Sequence, residues 1–229
     1  MQKPTIILAS ASIGRKQLLE KLGVPFEVIV STIDEDKISG KTPQEKLANR
    51  ARAKAEDVFK RLASRELASR KKTSRPYTLV PSPYLIIIAA DSEAILGHET
   101  FGKAKDKNDA QRILKSLMGK THEFTTATSI VLVKYLRSPK PVLNKVEGSL
   151  KEIRRWETIT TTRVTLRSLD ANSLALYLSK YDFTRFAAGY ALNETPWDLV
   201  TKIDGSYTNV VGLPFEELLP VLRLLKLLR

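Results

Sequence analysis

The sequence predicts an α/β fold, with a mixed, partly antiparallel sheet flanked by helices. Three observations lead there. The continuous apolar run Tyr84–Ala90 reads as a buried strand. Two stretches rich in β-branched residues, Glu123–Tyr135 and Thr158–Leu166, suit antiparallel pairing. Around these runs lie segments with helical start and stop signals. The chain has 229 residues, 42% of them apolar and 28% charged. That suffices for one large domain, or for one domain of two lobes.

In order along the chain, Thr5–Ala9 is a short β-type run. Ser12 is a good N-cap for a helix over 13–22, and Gly23 suits the position after its end. Phe26–Val30 reads as a second strand, and residues 31–43 as a polar loop. Pro43 fits the first turn of a helix that runs through Ala55 into the sixties. Residues 65–83 are basic, Ser-rich and Pro-containing, as an exposed insertion would be. Tyr84–Ala90 then delivers Asp91 at the strand exit. A helix over 108–118 is closed by Gly119 and precedes the Glu123–Tyr135 strand. A second irregular basic insertion occupies 137–155, before the strand at Thr158–Leu166. Asp170–Lys180 is helical. Leu199–Ile203 and Ser206–Val211, joined by Asp204-Gly205, read as a hairpin. A Leu-rich amphipathic helix over 215–229 ends the chain.

Composition excludes several functions. There is no cysteine, so neither disulfides nor thiolate metal sites arise, and His98 and His122 are the two histidines. A metal here is expected to be a hard cation held by oxygen, such as Mg²⁺. The apolar run near the N-terminus is too short for a signal peptide, and no stretch approaches a membrane span, so a cytoplasmic protein without a membrane partner is expected. The net charge of +13 admits an anionic partner. Residues 60–75 carry seven Lys or Arg against one Glu, so much of the excess sits in the insertions. Few aromatics interleave with these charges, and no nucleic-acid-binding signature is present.

Six segments stand in order along the chain: IILASASIGRKQLLEKLGVPFEVI from Ile6, RARAKA at 50–55, AADSEAIL at 89–96, FGKAKDKNDAQRILKSLMGKTHEF at 101–124, AAGYALN at 187–193 and IDGSYTNVVGLPFEELL at 203–219. The ordered set resembles the Maf family of septum-formation-like nucleoside triphosphate pyrophosphatases. It spans nearly the whole chain outside the insertions. The resemblance implies a single Maf-like domain of two lobes over 1–229, with an inosine triphosphatase-like cleft between them. It implies hydrolysis of a nucleoside triphosphate, with dTTP, UTP or a modified nucleotide as the candidates, between its α and β phosphates. It also implies a divalent cation, Mg²⁺ or Mn²⁺, and frequent homodimers.

Residue by residue, the resemblance makes Asp91 the proton acceptor and puts Glu35, in the acidic loop IDEDK, in the site. Together the two would hold the metal, with Asp34 and Asp36 as neighbours able to substitute for Glu35. Lys54 and Lys103 match two family lysines able to neutralise phosphate charge, and Lys105 is a nearby alternative. Ser10, Ser12 and Arg15 surround the start of the first helix, where free N–H groups and the helix dipole suit a phosphate. Ser92 and Asn193 fall at positions linked to base selection, where relatives carry Thr and Gln. Bland readings stand beside these: Asp91 as a turn residue, Ser12 as a plain cap, Arg15 on a solvated face, the lysines at the surface. The GSYTNVVGLP segment is expected to be chemically quiet.

The pattern also departs from the family. Relatives usually carry Ser-Pro-Arg-Arg where this chain has Ser12-Ile13-Gly14-Arg15, so Gly14 replaces an arginine. They follow the catalytic Asp with Thr and a hydrophobic pair, where Ser92-Glu93-Ala94 stands here. Two alternatives follow: a non-catalytic nucleotide-binding regulator of cell division, and a nucleic-acid-binding protein.

Overall fold

The computed structural model describes residues 3–72, 82–137, 148–180, 182–192 and 199–228. Its elements are β1 (Thr5–Leu8), α1 (Ile13–Lys21), β2 (Phe26–Val28), α2 (Pro43–Lys72), β3 (Tyr84–Leu96), β4 (Glu99–Phe101), α3 (Lys107–Leu117), β5 (Thr121–Arg137), β6 (Gly148–Leu166), α4 (Ala171–Lys180), β7 (Val200–Asp204), α5 (Tyr207–Val211) and α6 (Phe215–Leu224). The strands form one mixed sheet in the order β2-β1-β3-β5-β6-β7, with β4 added to β3. β1 runs parallel to both β2 and β3, and the other pairs are antiparallel. The predicted α/β class with a mixed sheet flanked by helices is thus observed.

Alternation along β3 divides its side chains between two faces. Leu85, Ile87 and Ala89 pack with Ala55 and Val58 of α2, while Ile86 and Ile88 pack with Leu18 and Leu19 of α1 and with α6. The same alternation sends Asp91 and Glu93 toward α2 and Ser92 toward α1. On α2, Leu47, Ala51, Ala55 and Val58 form a fully buried stripe at helical spacing. Lys46, Arg50 and Lys54, four residues apart, form the neighbouring stripe. Cations on one element therefore meet carboxylates on the other.

The long strand β3 has an interrupted edge. β5 covers one side from Tyr84 to Ile95. On the other side, β1 pairs as far as Ile88, and β4 pairs from Ala94 onward. Residues 89–93 therefore have no strand neighbour on that edge among the described residues, and the candidate site opens there.

Several expectations are corrected. Asp91 is not at a strand exit: β3 continues to Leu96, because its edge is bridged again by β4. Residues 206–211 do not complete a hairpin. Ser206 Oγ instead accepts the Asn209 N–H and caps the short helix α5, overriding the β propensity of the threonine and valines. The first insertion is helical through Lys72, and its residues 73–81 lie outside the described residues. The second is a strand from Gly148 onward, and 138–147 lie outside the described residues. Charge hid that strand: Arg155 pairs with Glu152, Glu56 and Glu157. A short 3-10 turn, Glu35–Lys37, interrupts the polar loop. The Ser12 cap is present, and Gly23 takes a left-handed φ of 66° after α1.

Candidate active site

A cavity of about 470 Å³ opens at the carboxyl end of β1. Ser10, Ser12, Arg15, Glu35, Lys54, Asp91, Ser92 and Lys103 all line it. Asn193 lies outside the described residues. Asp34 and Lys105, the substitutes considered, are not on the cavity wall, whereas Asp36 is.

The charged half of the cavity centres on Lys54. Its ammonium lies 2.6 Å from Asp91 Oδ1 and 2.8 Å from Glu35 Oε2. The side chains of Lys54 and Asp91 are 9% and 10% exposed, and that of Glu35 is 45% exposed. Asp91 Oδ2 is buried without a hydrogen-bond donor. Arg50 joins the loop to the strand: its Nε donates to the Glu35 carbonyl at 2.9 Å and one terminal nitrogen to Glu93 Oε1 at 3.0 Å. Lys46 Nζ contacts Glu93 Oε2 at 2.7 Å, off the hydrogen-bonding direction. Lys103 follows Gly102, whose carbonyl accepts from the Ala188 N–H at 2.8 Å. Burial lowers the Lys103 pKa, the Arg15 and Lys54 charges lower it further, and Glu35 opposes them.

Arg15 is not on a solvated face. Its Nε donates to the Gly212 carbonyl at 2.7 Å, and its terminal nitrogens to Ser10 Oγ at 3.0 Å, the Ala90 carbonyl at 2.9 Å and Ser92 Oγ at 2.9 Å. Four of the five guanidinium N–H donors thus go to the protein. The Ala90 carbonyl is the acceptor that a longer β1 would have satisfied, since the Ile88 carbonyl two residues earlier accepts from the Ala9 N–H. Arg15 continues the ladder where the strand stops. Burial holds its pKa below the usual arginine value, with Asp91 and Glu35 acting in the opposite direction.

The start of α1 forms another wall. Ser12 Oγ accepts the Arg15 N–H, and Ser10 Oγ accepts the Ser12 N–H. The N–H groups of Ile13 and Gly14 have no intrahelical acceptor, and both residues line the cavity. Gly14 allows a close approach: a Cβ there would stand 2.8 Å from the Val211 carbonyl oxygen. The opposite half of the cavity is apolar, with Phe124, Phe186, Tyr190 and Val210. Tyr190 OH is 2.8 Å from Nε2 of buried His122, whose pKa burial lowers to about 4.

Sequence reasoning missed Arg50 and Glu93. The signal was Lys46, Arg50 and Lys54 at i, i+4, i+8, opposite Asp91 and Glu93 at i, i+2. The GSYTNVVGLP segment is not idle either. Gly212 accepts from Arg15, and Asn209 donates to the Phe124 carbonyl and Thr162 Oγ1 while its own carbonyl accepts from Thr126. Thr126 Oγ1 in turn lies 2.8 Å from Ser92 Oγ.

Among the described residues no cluster of three or more His, Asp or Glu is arranged to hold a metal ion, and no helix is long and apolar enough to cross a membrane. Chemically, the cavity offers one carboxylate oxygen without a donor among several cations, a helix start and apolar side chains.

Residues 5–225 match the family described as Maf-like protein. The chain is 34% identical over 221 residues to a dTTP/UTP pyrophosphatase of Geotalea uraniireducens, covering 96% of this chain and 95% of that protein. It is 33% identical over 221 residues to a dTTP/UTP pyrophosphatase of Pyrococcus furiosus, covering 96% and 94%. Among solved structures, the Staphylococcus aureus Ham1 protein aligns with a TM-score of 0.42 at 13% identity, over 93% of this chain and 88% of that one.

Proposed function

From the premise that this chain belongs to the Maf-like protein family, we infer that it hydrolyses a nucleoside triphosphate to the monophosphate and pyrophosphate. The observation that carries the reading is Asp91: a buried carboxylate on the cavity wall with one oxygen held by Lys54 and the other without a hydrogen-bond donor.

In this mechanism Asp91 Oδ2 takes a proton from water as the water oxygen bonds to the α-phosphorus. The bond from that phosphorus to the bridging oxygen breaks, and pyrophosphate leaves. Lys103 and the N–H groups at the start of α1 bind phosphate oxygens. Arg15 fixes Ser10, Ser92, the Ala90 carbonyl and Gly212 around them, and has one N–H left for the ligand. The base lies against the apolar wall, with Ser92 and Asn193 contributing to its selection. The names of the relatives favour dTTP or UTP as substrate. A cytoplasmic location and a homodimer belong to the same reading.

The donor set fits Mg²⁺ or Mn²⁺ shared with the nucleotide. Such an ion takes one or two carboxylates and fills its shell with water and phosphate oxygens. Glu35 and Asp91, which share one ammonium, would hold it. When bound, the ion supplies charge neutralisation on the phosphates.

The test is product analysis with Mg²⁺ across common, deoxy and base-modified triphosphates. Monophosphate with pyrophosphate supports the reading. Diphosphate with inorganic phosphate, or nucleotide binding without turnover, would replace it, the latter by the non-catalytic regulator.

A further inference from the structure

Glu93 stands in this cavity beside Asp91, two residues along β3 and on the same face. It is buried, and two cations hold it: Arg50 at 3.0 Å and Lys46 at 2.7 Å. The Arg50 nitrogen that donates to Glu93 also stands 3.8 Å from Asp91 Oδ2. That distance is outside hydrogen-bonding range, and Oδ2 is the oxygen with no donor. The Nε of Arg50 is anchored on the Glu35 carbonyl, so the guanidinium pivots about a fixed point. A swing of about 1 Å would bring it into a charge-assisted hydrogen bond with Asp91. Both Asp91 oxygens would then be occupied, one by Lys54 and one by Arg50.

We propose that Glu93 is a positioning residue that holds the Arg50 guanidinium off Asp91 and so leaves Asp91 Oδ2 without a donor, able to accept the proton of the reacting water. The proposal rests on the reading of Asp91 as the base. Lys46 supports the device with an ion pair at the second oxygen of Glu93, 2.7 Å away. Arg50 keeps its other task, tying the loop that carries Glu35 to the strand that carries Asp91.

The test compares Glu93→Gln and Glu93→Leu, each alone and combined with Arg50→Met, by steady-state pyrophosphate release, with folding checked by thermal melting. Asp91→Asn runs in parallel. Each Glu93 variant should lose about tenfold or more in kcat, within the range a positioned base contributes, with KM little changed. Adding Arg50→Met should recover most of that loss, because no guanidinium remains to occupy Asp91. Such rescue is not expected of a residue that only supports packing. Wild-type kcat in the Glu93 variants would overturn the proposal, as would a double variant no faster than the single one. Should Glu93→Leu fail to fold, the isosteric Glu93→Gln carries the comparison. Wild-type turnover in Asp91→Asn would instead remove the reading of the base itself. An inactive Asp91→Asn beside unimpaired Glu93 variants would remove only the role given to Glu93.

Discussion

Replacing Arg15 with methionine separates a structural strut from a phosphate ligand. The substitution preserves much of the buried length but deletes four hydrogen bonds. Two of the four acceptors retain other partners: Ser10 Oγ keeps the Ser12 N–H, and Ser92 Oγ keeps Thr126. The Ala90 and Gly212 carbonyls lose the donors that Arg15 supplies. Each costs about 1–2 kcal/mol when left buried and unsatisfied. Relief from burying the guanidinium offsets part of this, leaving a net loss of about 2 kcal/mol. For a chain of this size that corresponds to a fall in Tm of about 4–8 °C. Differential scanning calorimetry measures it. An unchanged Tm together with a large rise in KM would refute the reasoning and return Arg15 to the role of a phosphate ligand.

Further predictions follow from the same geometry. Gly14→Arg, which restores the arginine of relatives, should destabilise by about 1–3 kcal/mol, since its Cβ would press on the Val211 carbonyl; urea denaturation checks this. Glu35→Ala should change stability by less than about 1 kcal/mol, because its carboxylate is half exposed and buried Lys54 keeps Asp91 as a partner. It should nevertheless raise the Mg²⁺ concentration for half-maximal rate by about tenfold or more. His122 has a folded-state pKa depressed by burial to about 4, so the unfolded chain binds the proton first as pH falls. Its contribution is fully present above about pH 6.5 and declines toward pH 4, by about 3 kcal/mol in all. Urea midpoints at pH 7 and pH 4.5 should converge in His122→Asn relative to wild type.

The sheet-forming runs, the Ser12 cap and the Gly23 stop were legible because their signals are local. So was the set of residues around the cavity, because the ordered motifs name them one by one. What was not legible depends on which surfaces meet. Lys46, Arg50 and Glu93 look like solvated charges until α2 is laid along β3, where the 3.6-residue and 2-residue periods come into register. Asp91 appeared to sit at a strand exit because the apolar run stops there. The strand continues as a polar one, sustained by β5 on one edge and β4 on the other. The Asp204-Gly205 turn suggested a hairpin, yet Ser206 finds the Asn209 N–H and begins a helix. Arg15 was legible as a residue of the first helix turn but not as buried, since only the early end of β1 leaves the Ala90 carbonyl for it.

The central claim is that the unpaired oxygen of Asp91 accepts the proton of the reacting water. Its most direct test is the rate of pyrophosphate release by Asp91→Asn, measured beside the affinity for a non-hydrolysable triphosphate. The expected result is a fall in kcat of about 10²-fold or more, the scale of a lost general base, with nucleotide still bound. Turnover at the wild-type rate in that variant would contradict the claim.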